Sequence, residues 1–277
     1  MRLGFSTLGC PDWDLETMCA RAHDYGFEGV DFRGLGEHID VTMLPEFTSG
    51  LAITKRLFSN HGVVVSGISS SLKICESTLH DENLEEAKRT IAIALDLDVD
   101  TIRVFGGGDT AAFKREDLAD IGCRTMESVL RLDGAESLKW IFETHDSWIA
   151  ASDAKLLLDR IPHAAFGVLW DVGHTSRVGG ETPIVSMSAL GDRIYGLHIK
   201  DAVHDDGHPN AMPDGWRYVK PGEGELPIAE AIHLLRQAGY DDWLLFEHEK
   251  RWHPELSEPE KVFPEFVSWY RSLEPTD

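Results

Sequence analysis

Residues 140–143 read Trp-Ile-Phe-Glu, a short apolar run that ends on a carboxylate, and the pattern returns as Val-Leu-Trp-Asp171, Tyr-Gly-Leu-His198 and Leu-Leu-Phe-Glu247. Runs of this length and composition read as buried strands. If the four strands are parallel, their last residues share one edge of a sheet or barrel, and the side chains converge on one point. Any one of them is equally well explained as a solvated or capping group at a strand end. Four in register, at intervals of 28, 27 and 49 residues, are not. Two Glu, one Asp and one His make a hard, oxygen-rich set that suits Mn²⁺, Mg²⁺ or Co²⁺.

Working outward, apolar β-rich runs alternate with longer segments of helical period, the pattern of βα units around a parallel sheet. Strands are predicted at 3–7, 29–33, 63–69, 101–105, 138–143, 165–171, 194–200 and 244–247. Helices are predicted at 15–25, 82–97, 117–133, 152–160 and 228–238, and a last one at 259–273 closes the structure with Phe263, Phe266, Val267 and Tyr270 inward. Tyr-Gly26-Phe-Glu-Gly-Val and Ala-Gly239-Tyr-Asp-Asp-Trp both read as a helix end, a glycine and a new strand. Eight strands, the length, and polar residues at strand ends together predict an α/β fold, a (β/α)₈ TIM barrel, with residues 1–277 as a single domain.

The chain is 42% hydrophobic and 27% charged, a globular profile. No apolar run approaches the ~18 residues that cross a bilayer, and Met1-Arg-Leu-Gly-Phe-Ser-Thr carries no signal-peptide core, so a cytoplasmic location without membrane partners is expected. Cys10, Cys19, Cys75 and Cys123 stand in no zinc or redox spacing and read as reduced, small apolar residues. A net charge of −22 opposes nucleic acid as a partner. The sequence leaves room for a homo-oligomer.

Two connections exceed what packing needs. Residues 201–226 hold His204, His208, Trp216, Arg217, Tyr218 and Gly222-Glu-Gly224, and read as a structureless lid or substrate loop. Residues 34–49 are placed as a possible wall of the same mouth.

Phe-Glu143-Thr-His145, Trp-Asp171-Val-Gly-His174, Leu-His198-Ile-Lys200-Asp201, Gly222-Glu-Gly224 before Pro227, and Phe-Glu247-His-Glu249 resemble the sugar phosphate isomerase/epimerase superfamily, the xylose-isomerase-like TIM barrels. The resemblance is specific mainly from Leu138 to Glu249 and only general in the N-terminal half. It implies that Glu143, Asp171, His198 and Glu247 bind one divalent ion, Mn²⁺ first and Mg²⁺, Co²⁺ or Zn²⁺ as alternatives, and that His174 meets substrate. The superfamily's endonuclease branch carries an Asp-x-His before the Gly-x-Gly turn, where this chain has Trp216-Arg-Tyr218.

An ion in such a site would grip two adjacent oxygens and stabilise an enediolate formed by proton abstraction next to a carbonyl. The resemblance gives Glu143 and Glu247 a double role, as ligands and as proton-transfer groups on opposite faces of one carbon. His145 shares the direction of Glu143 if the strand stays extended, and is either an acid/base or hydroxyl-binding group or a solvent-facing loop residue. Lys200 either orients a substrate oxygen or salt-bridges Asp171 or Glu247. Trp216 and Arg217 are substrate contacts offered by the long loop, although an Arg on an acidic chain also simply neutralises carboxylates. Trp13, Trp148, Trp170 and Trp252 lie near loops and are either stacking faces or plain core. The leading expectation is an isomerase or epimerase of a small-molecule sugar or cyclitol. The rival is a lyase or dehydratase of a keto-sugar, inosose or 3-keto-glycoside that continues the same proton abstraction into β-elimination. The endonuclease branch, a third reading, is set aside on its missing ligands and the net charge of −22, and a metal-bound subunit or sugar-binding protein that lost activity is the non-catalytic reading.

Overall fold

The computed structural model describes residues 1–273. Its strands are β1 (Arg2–Ser6), β2 (Gly29–Phe32), β3 (Val64–Lys73), β4 (Thr101–Phe105), β5 (Lys139–Glu143), β6 (Phe166–Asp171), β7 (Ile194–Ile199), β8 (Asp201–His204), β9 (Trp216–Val219) and β10 (Trp243–Phe246). Eight of them close a parallel barrel in the order β1-β10-β7-β6-β5-β4-β3-β2, so the predicted (β/α)₈ architecture and all eight predicted strands are found. Helices α1 (Leu15–Tyr25), α2 (Leu51–His61), α3 (His80–Asp96), α4 (Arg115–Leu130), α5 (Ala151–Arg160), α6 (Val172–Arg177), α7 (Pro183–Leu190), α8 (Ile228–Gln237) and α9 (Pro259–Ser272) flank it.

Local chemistry sets the boundaries. Asp14 caps α1 by accepting from the Thr17 N–H at 2.8 Å, and Gly26 ends the helix at φ 88°, a left-handed turn that glycine adopts without strain. The closing helix α9 lays Phe263, Phe266, Val267 and Tyr270 inward as predicted, with Phe266 stacked on Phe246 at 4.3 Å and Phe263 against Phe5 at 4.8 Å. These rings cover the β1/β10 seam that joins the two ends of the chain.

Three helices escape the periodicity reading, each for a physical reason. Helix α2 starts at Gly50 with no side-chain cap and buries only Thr54 and Phe58. Helix α6 is six residues long, and α7 is too uniformly apolar to show a polar face. The expectation of a structureless segment at 201–226 is corrected: β8 and β9 pair antiparallel, Asp201 opposite Val219 and His204 opposite Trp216. Backbone pairing satisfies polar groups that a bare loop of that length would leave to solvent.

Candidate metal centre and barrel mouth

Parallel register is what gathers the strand-end residues. Asp171 ends β6 directly opposite His198 of β7, Glu143 ends β5 opposite Leu169, and Glu247 follows β10 with its N–H still donating to the Ile199 carbonyl at 2.9 Å. One ligand atom each from Glu143, Asp171, His198 and Glu247 lies within 4.8 Å of all the others, and all four side chains are buried. His198 Nδ1 stands 3.4 Å from Glu143 Oε1 and 3.2 Å from Glu247 Oε1. Both ring nitrogens of His198, with Asp171 Oδ2 and Glu247 Oε2, are buried without a hydrogen bond. Orphaned polar atoms are costly in a protein interior. Here they converge, and the donor set is one that could hold a divalent metal.

Two cations brace the carboxylates. Lys200 Nζ lies 2.9 Å from Asp171 Oδ2, 2.5 Å from Glu247 Oε2 and 2.8 Å from Glu249 Oε1, so the salt-bridge alternative for this residue is realised. Toward Asp171 Oδ2 and Glu247 Oε2 it is close enough to pair by charge yet not aligned for hydrogen bonds. Arg103 Nε stands 3.4 Å from Glu143 Oε2, and its Nη1 donates to the Ser70 carbonyl at 3.0 Å. Burial by itself would raise the Glu143 carboxyl, and Glu247 adds to that, but Arg103 and His198 prevail and hold it well below the usual range. Glu247 is likewise pushed up by burial, then pulled well below the usual range by His198 and Lys200.

His145 and His174 stand side by side, ring centroids 4.7 Å apart. His174 is buried; its N–H caps back onto Asp171 Oδ1 at 2.8 Å and its Nδ1 faces the Thr144 carbonyl at 3.1 Å. A carbonyl only accepts, so Nδ1 carries the proton and Nε2 is the bare nitrogen, 3.5 Å from Lys200 Nζ. Burial lowers the His174 pKa to about 4, which leaves the ring neutral at pH 7. His145 is half-exposed, with Nδ1 2.7 Å from Asp146 Oδ1. Burial would depress it, but the Asp146 hydrogen bond and the Glu143 charge carry it above its ordinary value. Asp146 itself sits at φ 50°, an uncommon conformation for a residue with a Cβ, immediately after the strand that delivers Glu143.

The long connection folds down on this group. Tyr218 of β9 lies with its ring 5.9 Å from Lys200 Nζ and 5.2 Å from the His253 ring. Trp216, two residues away on the same strand, meets His204 edge-on at 5.5 Å. Arg217 points to the other face and is held by Asp205 at 3.0 Å. The base of the hairpin is clamped by Asp201, whose carboxylate accepts from the N–H groups of Gly222, Gly224 and Leu226. A Cβ at Gly224 would collide with that carboxylate, which explains a glycine there. Trp13, Trp148 and Trp170 are core, each with its indole N–H satisfied, by Glu260, the Gly107 carbonyl and Thr175 respectively, whereas Trp252 is exposed. The run after Glu247 is a braced loop. Lys250 is tied to the Pro254 and Leu256 carbonyls and Glu258, and Glu249 reaches back to Lys200.

Residues that sequence reasoning did not single out complete the mouth: Asp146, Arg103, Arg33, Phe105 and Asp31. Asp31 accepts from Ser69 Oγ at 2.7 Å and is buried. None belongs to a repeated pattern, so no periodicity signal marked them.

A family model for xylose isomerase-like TIM barrels matches residues 19–273. The chain belongs to this family. Among curated relatives, an inosose dehydratase of Lacticaseibacillus casei is 26% identical over 91 residues, a match spanning about 30% of this chain and 30% of the relative. Among solved structures, the probable 3-DHS dehydratase AsbF of Bacillus anthracis superposes with a TM-score of 0.78 at 18% identity, covering 98% of this chain and 99% of that one. The 3-keto-D-glucoside 4-epimerase YcjR of E. coli gives 0.75 at 13% identity, covering 98% and 99%. At these identities the structural likeness establishes the fold. No helix among the described residues is long and apolar enough to cross a membrane.

Proposed function

We propose that this protein is a divalent-metal-dependent dehydratase or related lyase acting on a keto-cyclitol or keto-sugar. Glu143, Asp171, His198 and Glu247 are the residues that would hold the ion, which would supply positive charge where the substrate carbonyl becomes an enolate. The reading rests on the unequal freedom of the acid/base groups. Glu143 is paired with Arg103 and Glu247 with Lys200, so neither glutamate is free to exchange protons in the way a symmetric two-base epimerase requires. His145 is half-exposed at the mouth, and its Nδ1 is anchored on Asp146. Its Nε2 is therefore the proton acceptor, oriented by a carboxylate as a general base needs to be.

In this scheme His145 Nε2 takes the proton beside the carbonyl, and the electron pair moves to form the enolate. It then re-forms the carbonyl while a new C=C bond expels the β-hydroxyl, which leaves as water with the proton that His145 returns. Lys200, His174 and Tyr218 line the side that orients the substrate's oxygens. One base serving both steps suits elimination, and the dehydratase names among the similar proteins agree with it. The test is to incubate Mn²⁺-loaded protein with ketoses, inososes and 3-keto-glycosides in D₂O and weigh the products. Loss of water, or of the aglycone from a 3-keto-glycoside, supports the reading, and an epimer that keeps every heavy atom and carries one solvent deuterium overturns it in favour of epimerisation.

A further inference from the structure

Arg33 follows β2 at the barrel mouth, partly buried, and among the described residues it lies in no ion pair. Its Nη1 donates to Ser71 Oγ at 3.2 Å, and that residue's backbone N–H is taken by Glu86 at 2.7 Å. Arg33 and Arg103 flank the same ring, with their guanidinium carbons 5.6 Å and 3.8 Å from the centroid of Phe105, and the ring of His145 packs on Phe105 at 5.0 Å. A continuous surface thus runs from an uncommitted guanidinium to the acid/base histidine. Arg103, buried and paired with Glu143, and the partly buried Arg33 stand about one ring, so two like charges share this part of the mouth. Such a pair is unfavourable by itself. It becomes favourable when an anion arrives between the two and the hydroxyl beside them.

We propose that the substrate carries a carboxylate and that Arg33, with Ser71 beside it and Arg103 behind it, receives that group. The inference deepens the functional reading above, since it concerns the same mouth. Carboxylate is favoured over phosphate by the charges that face Arg33: Glu143 from β5, Glu86 from α3 and Asp31 from β2. Each of these carboxylates already has a partner, Glu143 in Arg103, Glu86 in the Ser71 N–H and Asp31 in Ser69, and a dianion would meet more repulsion from them than a planar monoanion does.

Matched ligands test this by binding alone, independently of which reaction is catalysed: calorimetric affinities of the Mn²⁺-loaded protein for myo-inositol, for quinate as a carboxylated ring polyol, and for myo-inositol 1-phosphate. Quinate is expected to bind about tenfold or more tighter than myo-inositol, the range of one charge-assisted pair. The Arg33→Gln variant closes that gap, and Arg33→Lys restores part of it. No preference for quinate in the wild-type protein, a preference that survives Arg33→Gln, or tighter binding of the phosphate each overturns the proposal. If Arg33→Gln fails to fold, the wild-type comparison still decides. If the elimination reading fails while quinate is preferred, only the chemistry is revised.

Discussion

On the side built from β5, β6, β7 and β10 the mouth presents Glu143, Asp171, His198 and Glu247 around one centre, whereas on the side of β2, β3 and β4 it presents Arg33 and Arg103 about Phe105. The seam is the β4/β5 pair, where Phe105 stands opposite Glu143 in register and Arg103 reaches across to that carboxylate. The acidic side is closed upon itself by Lys200, while on the basic side Arg33 donates to Ser71. In a chain with 48 acidic and 26 basic residues, this partly buried arginine stands outside every ion pair among the described residues. The two proposals build on this contrast, with metal and proton transfer on one side and recognition of an acidic substrate on the other.

The acidic side is where substitution should hurt most. Glu143→Gln and Glu247→Gln each remove a charged ligand, so turnover should fall by about 10³-fold or more and Mn²⁺ affinity should fall with it. Titration of metal binding beside steady-state rates checks this. If turnover is lost with affinity intact, the glutamates themselves carry the proton. At the seam, Arg103→Gln leaves Glu143 buried in an acidic cluster without its cation, and should cost about 3 kcal/mol in urea unfolding of the metal-free protein. Added Mn²⁺ should recover part of that loss, because the ion replaces the missing charge. A variant as stable as wild type would show that Arg103 does not hold Glu143.

A smaller effect appears on acidification. Burial lowers the His248 pKa to about 4, its Nε2 meeting the Ser257 carbonyl at 2.8 Å. The unfolded chain, with this His near 6.5, takes up the proton first, so the contribution to stability is present above pH 6.5 and lost as pH falls toward 4. His248→Gln should flatten that limb by about 1–3 kcal/mol, measured as unfolding free energy at pH 7 and pH 4. An unchanged slope would mean that the ring finds a partner once charged. Least affected should be Arg217→Ala, whose guanidinium is tied to Asp205 and partly exposed, with a change within about 0.5 kcal/mol in stability. A large loss of substrate binding in that variant would bring the outer face of the hairpin into the site.

The two sides differ as much in legibility as in charge. Glu143, Asp171, His198 and Glu247 were readable because each ends an apolar run, and parallel pairing turns that repetition into a meeting point. Lys200 was readable from its spacing of two from His198. Arg33 and Arg103 carry no such mark, since an arginine after or within a strand looks the same whether it neutralises a carboxylate or waits for one. Asp146 was hidden for another reason: its role depends on a backbone turn at φ 50° that composition does not announce. The hairpin at 201–219 was missed because its two strands are four residues each and separated by a long polar connection, too short for alternation to show. The closing helix, with four large residues on one face, was fully legible.

On the proposed mechanism His145, and not a glutamate, moves the proton. His145→Ala, loaded with Mn²⁺ to one ion per chain, should be followed by NMR in D₂O for two signals at once, deuterium entering unreacted substrate and formation of product. Both signals should fall together by about 10²-fold or more while metal stoichiometry is retained. Deuterium exchange that continues while product disappears would contradict it, and would return proton abstraction to Glu143 or Glu247.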